Sequence, residues 1–220
     1  IIPQGEECVA GTIVIPKGTE VTSTVQTILT GLGFTEITVN VMPRVLVLTS
    51  GHEVIEPGES LTPGKIYNSN RAMICGLLED LGFHKITHHH VSDAPEELES
   101  EINHVLQLSE EADIIISSGG VSVGLFDTMP LIYEKLGAQS IYARIQMRPG
   151  AASYGAVTPK GQIIFGLSGN PGAAFNGWHL IVAPTLKRYK GLKNWTTPVV
   201  ACVMDSEIFK RNAFDRYVQG

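Results

Sequence analysis

The chain has 220 residues, of which 43% are hydrophobic and 17% charged, and a formal net charge of −6. That length buries a full core in one large domain with small appendages, and the acidic balance argues against a duplex nucleic-acid partner, which needs a basic face. No apolar run approaches the roughly 20 residues of a bilayer span, no signal-peptide pattern opens the chain, and the scattered Cys8, Cys75 and Cys202 fit a reducing cytoplasm rather than a disulfide framework or zinc cluster.

Residues 1–42 read as a small β-rich module. Gly5, Gly11 and Gly18 punctuate short apolar runs such as 12–15, residues 24–32 suit a helix, and 34–41 alternate and are rich in β-formers. Beyond Pro43 the rhythm changes. Residues 44–48 (RVLVL) form a continuous apolar run, as expected of a strand covered on both faces. Residues 70–81 carry helical spacing at Met73, Ile74, Leu77, Leu78 and Leu81. A strand at 85–90, a helix with Leu98, Ile102, Val105 and Leu106 on one face, a buried strand at 113–117 (DIIIS) and a helix at 128–136 follow. This alternation predicts an α/β domain with a doubly wound parallel sheet. After Gly137, residues 141–146, 152–157 and 162–165 read as strands, 171 to about 190 as a long helix, and 196–203 as the start of another strand-rich segment. The chain opens on Ile1 rather than Met, and its pattern runs to Gly220 without a stop, which predicts a piece of a longer protein.

In an open parallel sheet, ligands bind beyond the carboxyl ends of the strands. Three loops leave such ends: 49–70, 90–95 and 118–128. The first contains Thr49-Ser50-Gly51-His52-Glu53, and Glu53 suits a metal or hydroxyl ligand as well as it suits a solvated loop acid. Ser69 or Asn70 reads as a cap for the next helix. The second contains Asp93, with Glu96 three residues on and Pro95 between, which also spells a capping box. His88, His89 and His90 are consecutive strand residues that alternate faces, so they cannot share one metal. The third loop, Ser118-Gly119-Gly120-Val121-Ser122-Val123-Gly124 to Asp127, is glycine-rich backbone before a helix, a geometry suited to phosphate. It is neither a Walker A loop nor a Gly-x-Gly-x-x-Gly fingerprint, and Asp127 also reads as a plain helix cap. Gly169-Asn170-Pro171 pairs an N-cap with a first-turn proline, and Arg148-Pro149-Gly150 offers a cation to the same mouth. Two glycine-rich helix starts and three strand-end carboxylates suggest a phosphorylated ligand with a metal ion.

The runs SGHE at 50–53, PGKIYNSN at 63–70, SSGGVSVGLFD at 117–127, RPG at 148–150 and LSGNPGA at 167–173 occur in one order. Together they resemble the molybdopterin molybdenumtransferases, the MoeA proteins and the gephyrin E domain, over nearly the whole chain. The resemblance implies an α/β three-layer sandwich around a mostly parallel sheet. It divides the chain into part of an N-terminal β-rich domain (1–42), a molybdopterin-binding domain (43–195) and a truncated C-terminal β domain (196–220). It implies a cytoplasmic homodimer that inserts molybdate into adenylylated molybdopterin with release of AMP, using Mg2+. Glu53, Asp93 and Asp127 would be the catalytic and metal-binding acids. Ser118, Gly119, Gly120, Ser122, Gly124, Arg148, Gly169, Asn170 and Pro171 would bind the pterin or its phosphate. Three positions depart from the family pattern: His52 replaces an acid, Ala151 a lysine and Ser168 a proline. A non-catalytic pterin-binding scaffold and a molybdopterin adenylyltransferase are the alternative readings.

Overall fold

A computed structural model describes residues 3, 5–120, 128–203, 205 and 215–218. The chain divides into two compact units, Ile1–Val41 with Pro184–Thr196, and Met42–Ala183 with Thr197–Gly220. In the first unit, α1 (Ser23–Gly31) is capped by Thr22, whose side chain accepts from Val25 N. The other described residues of 1–41 include no strand. The expected strands at 12–15 and 34–41 therefore do not form. A strand needs a neighbour to satisfy its ladder groups, and these runs leave Ile13 and Val41 exposed instead. Asn40 Nδ2 donates to Lys190 O at 2.6 Å, which ties the two segments of this unit together.

The second unit runs β1 (Val45–Ser50), β2 (Val54–Ile55), β3 (Ile66–Tyr67), α2 (Ser69–Asp80), β4 (Ile86–Val91), α3 (Leu98–Ser109), β5 (Ile114–Ser118) and α4 (Thr128–Lys135). It continues with β6 (Gln139–Tyr142), β7 (Met147–Arg148), β8 (Tyr154–Val157), β9 (Ile163–Leu167) and α5 (Pro171–Gly177). A π-helical turn, Trp178–Val182, then leads into α6 (Ala183–Tyr189), so the long helix expected from 171 carries an interruption around the buried Trp178. The strand-rich segment expected at 196–203 has no strand, and β10 (Asp215–Arg216) pairs with β7.

The central sheet has the order β4-β1-β5-β9-β8-β6. β4, β1, β5 and β9 are mutually parallel, while β8 runs antiparallel to both β9 and β6. Every residue of β1 and β5 is buried, as the continuous apolar runs require. Strand alternation then sorts the layers. Leu46, Leu48 and Ile115 pack with Val105 of α3 and with Met129, Ile132 and Tyr133 of α4. The intervening Val45, Val47, Ile114 and Ile116 point to the opposite face, where α2 lies against β1 and α5 against β9. The result is an α/β three-layer sandwich.

Register decides where the loops emerge. Thr49 pairs with His90 and with Ser118, and Ser118 pairs with Leu167. The four parallel strands therefore end in one row, and the loops after β1, β4, β5 and β9 leave from the same edge.

Candidate functional site

These loops and the start of α2 enclose a cleft of about 290 Å³. Glu53, Asp93, Ser118, Gly119, Gly120, Gly169 and Pro171 all line it, so sites spread over 119 residues of sequence meet at one strand edge. Asn170 does not line the cleft, and its Oδ1 caps α5 by accepting from Ala173 N at 3.1 Å. Arg148 does not line it either, and its carbonyl accepts from Tyr217 N at 2.8 Å beside the β7–β10 pair. Ser122, Gly124 and Asp127 lie outside the described residues.

The glycines are needed for packing. Gly119 and Gly120 have φ of 89° and 60°, backbone that side chains strain. A Cβ on Gly119 would sit 2.5 Å from Ser50 O, and one on Gly120 would sit 2.8 Å from Ser50 Oγ and 2.9 Å from Met129 Cγ. The loop is thus pressed between the end of β1 and α4. Gly119 N donates to Leu167 O at 3.2 Å, and Ser118 Oγ donates to Ser168 O at 3.1 Å. Neither proton is available to an anion, which narrows the phosphate cradle expected from this segment.

Asn68, only 3% exposed, is the cap of α2, in place of the Ser69 or Asn70 suggested by the sequence. Its Oδ1 accepts from Arg71 N at 3.1 Å, and its Nδ2 donates to Thr49 Oγ1 at 2.9 Å and to Glu56 Oε1 at 2.7 Å. Asn70 is thereby released from capping. Its Nδ2 donates to Ser118 Oγ and to Gly169 O, each at 2.8 Å. Thr49 Oγ1 also lies 3.1 Å from His90 Nδ1, and burial holds the His90 imidazole below the usual histidine value, outweighing the nearby Glu56 and Asp93 carboxylates.

Asp93 is not a helix cap. α3 begins at Leu98 with Glu97 at the cap position and no side-chain cap bond, and Ala94 N is satisfied by Ser92 Oγ at 3.2 Å. Asp93 Oδ1 is instead buried without a hydrogen-bond partner, as are Ser50 Oγ and Asn70 Oδ1. All three atoms belong to residues that line the one cleft. Buried polar atoms are nearly always paired, so three unpaired ones on residues that line one cavity mark a place for a polar ligand. Glu53 folds back over the strand end, where a Cβ on Gly51 would meet its Oε2 at 3.0 Å. His52 Nδ1 stands 3.5 Å from that oxygen with its own side chain 88% exposed at the rim, and Lys65 Nζ donates to His52 O.

Among the described residues no three of His, Cys, Asp and Glu gather to hold a metal ion; Asp127, the third acid of the expected set, lies outside those residues. The donors present still fit magnesium, which takes oxygen ligands and is held by one or two carboxylates plus substrate phosphate. Glu53 and Asp93 reach the same cleft from separate loops, and Asp93 keeps an unpaired oxygen. The strand histidines go elsewhere: Arg71 NH1 lies 3.3 Å from His88 Nε2, and His89 Nε2 lies 2.8 Å from Glu101 Oε2.

Residues 46–188 match the family profile described as "Probable molybdopterin binding domain". The chain belongs to the molybdopterin-binding domain family. It is similar to the molybdopterin molybdenumtransferase of Staphylococcus epidermidis, at 36% identity over 98% of this chain and 51% of that protein. The Staphylococcus aureus molybdopterin molybdenumtransferase is 35% identical over 98% of the chain and again 51% of the relative. The chain thus spans about half the length of these curated relatives. Among solved structures, the molybdopterin biosynthesis MoeA protein of Pyrococcus horikoshii superimposes with a TM-score of 0.66 at 28% identity, over 80% of this chain and 43% of that one.

Ser50 and Asn68 are site residues to which the sequence reading gave no role, and Asn70 is one that it read only as a helix cap. One signal was present for Asn70: asparagine is a poor helix former past the cap, so its place inside α2 called for a tertiary reason.

Proposed function

We propose that this chain is the pterin-binding core of a molybdopterin molybdenumtransferase, which inserts molybdate into adenylylated molybdopterin with release of AMP. The observation that carries the reading is the meeting of Glu53 and Asp93 in one cleft, with the Asp93 Oδ1 buried and unpaired. A lone buried carboxylate oxygen is costly, and a cation with its substrate would offset that cost. Glu53 and Asp93 would hold magnesium, and Asp127 would join them on the strength of the sequence resemblance. When bound, the cation supplies positive charge against the phosphate group at which the adenylate is released. The chain's own residues bind and orient: Gly119 and Gly120, seated against Ser50 and Met129, hold their loop at the strand edge, and the closed network around Asn68 fixes the cleft wall. The protein would work in the cytoplasm as a homodimer, a second copy completing the site.

The test is metal-dependent release of AMP from adenylylated molybdopterin by the full-length protein. Asp93→Asn should fold normally, retain pterin binding and lose turnover by about a hundredfold or more. Full turnover in that variant would overturn the metal role, and tight pterin binding by the unsubstituted protein without any turnover would make it a binding scaffold.

A further inference from the structure

The orientation of the Asn70 amide is dictated by its neighbours. A carbonyl can only accept, so the nitrogen must face Gly169 O, 2.8 Å away. Ser118 Oγ has already donated its single proton to Ser168 O, so at 2.8 Å it accepts from Asn70. Both amide protons are therefore committed, to the loops after β5 and β9, and the group cannot turn over without breaking two bonds. What remains is Oδ1, buried, unpartnered and carried by a residue lining the cleft. Such an atom accepts and does nothing else. It disfavours a phosphate oxygen and favours an N–H.

Ser50, which lines the same cleft, is 6% exposed and its Oγ is also buried and unpartnered. A hydroxyl both donates and accepts, so it complements a heterocycle edge on which donors and acceptors alternate. The carboxylates Glu53 and Asp93 also line this cleft. An anionic tail therefore needs a cation between itself and these acids, whereas a neutral N–H edge needs only the fixed amide oxygen.

We infer that Asn70 Oδ1 is a specificity-determining acceptor that reads an N–H donor on the pyrimidine edge of the pterin ring, with Ser50 Oγ as its neighbour on that edge. This rests on the pterin reading above and assigns the ring, rather than the phosphate tail, to this wall of the cleft.

The test uses the full-length protein and separate probes: 6-hydroxymethylpterin, followed by its fluorescence, and magnesium pyrophosphate, followed by calorimetry. Asn70→Leu, close in size but unable to accept, should weaken pterin binding by about tenfold or more, since a buried donor on the ligand is left unpaired. Pyrophosphate binding should stay within about threefold, inside the spread of an indirect effect. On the ligand side, a pterin methylated at N3 and at its amino group should bind the unsubstituted protein about tenfold more weakly, and Asn70→Leu should no longer distinguish the two pterins. Asn70→Ser, whose short hydroxyl can still bond a neighbouring loop while withdrawing the acceptor, replaces Leu if folding suffers. Equal pterin affinity in a folded Asn70 variant, or equal loss of both probes, would overturn the inference. An unsubstituted protein that binds pyrophosphate but no pterin would overturn the pterin reading itself.

Discussion

Thr49 and His90 are directly paired across β1 and β4, and the Thr49 hydroxyl stands 3.1 Å from His90 Nδ1. The hydroxyl also accepts from Asn68 Nδ2 at 2.9 Å. With a second lone pair and its own proton, it can accept from or donate to Nδ1 according to the tautomer of the ring. Burial holds the His90 imidazole below the ordinary histidine value of about 6.5. The sign follows from linkage: the unfolded chain binds this proton more readily, so the His90 contribution to stability is complete above about 6.5 and is lost as pH falls through the lower folded value. Proton titration of the His90 ring should give a midpoint below that of a free histidine, and His90→Gln should flatten the acid side of the stability profile. A midpoint at or above the free value would contradict the assignment.

The glycine loop makes a stability prediction. A loop that served only as an open anion cradle would tolerate Gly120→Val. The structure reverses this expectation, since a Cβ there would lie within 2.9 Å of both Ser50 Oγ and Met129 Cγ at a φ of 60°. Gly120→Ala should cost about 1–3 kcal/mol from strain and overpacking, and Val more. Chemical denaturation of the purified variant checks this. An unchanged midpoint would show that the loop can move aside.

The two candidate caps of α2 can be separated. Asn68→Ala removes the bond to Arg71 N together with those to Thr49 and Glu56. It should cost about 2–4 kcal/mol, more than the ~1 kcal/mol of an isolated cap. Ser69→Ala should change stability by only about 0.5 kcal/mol or less. Comparable losses in the two variants would mean that Asn68 does not organise the helix start.

Asp93 gives the opposite pattern from a cap. Its carboxylate carries no cap bond, and its Oδ1 is buried and unpaired. Asp93→Asn should therefore leave thermal stability unchanged or raise it slightly, because a half-buried charge is removed, while metal-dependent turnover falls. A loss of about 1 kcal/mol in Asp93→Ala that Asp93→Asn restores would return this residue to a capping role.

The sequence by itself determined the sandwich and the edge at which chemistry gathers. The continuous runs VLVL at 45–48 and IIIS at 114–117 can only be strands covered on both faces, and the heptad-like spacing of Ile74 and Leu78 fixes one buried helix face. Those signals are local periodicities, and they place Glu53, Asp93, Gly119 and Gly120 just beyond strand ends. What only the tertiary structure decided is which polar atoms remain free once the chain has bonded to itself. Ser118 and Gly119 looked available, yet their protons go to Ser168 and Leu167, 50 and 48 residues along the chain. Asn70 looked like a cap, yet Asn68 takes that role and leaves the Asn70 Oδ1 buried and unpaired. Strand-like runs at 12–15 and 34–41 lacked neighbours to pair with, so β propensity alone did not make them strands. Hydrogen bonds between residues distant in sequence leave no periodic trace, because the partner of each donor is chosen by the register of the sheet and not by the chain around it.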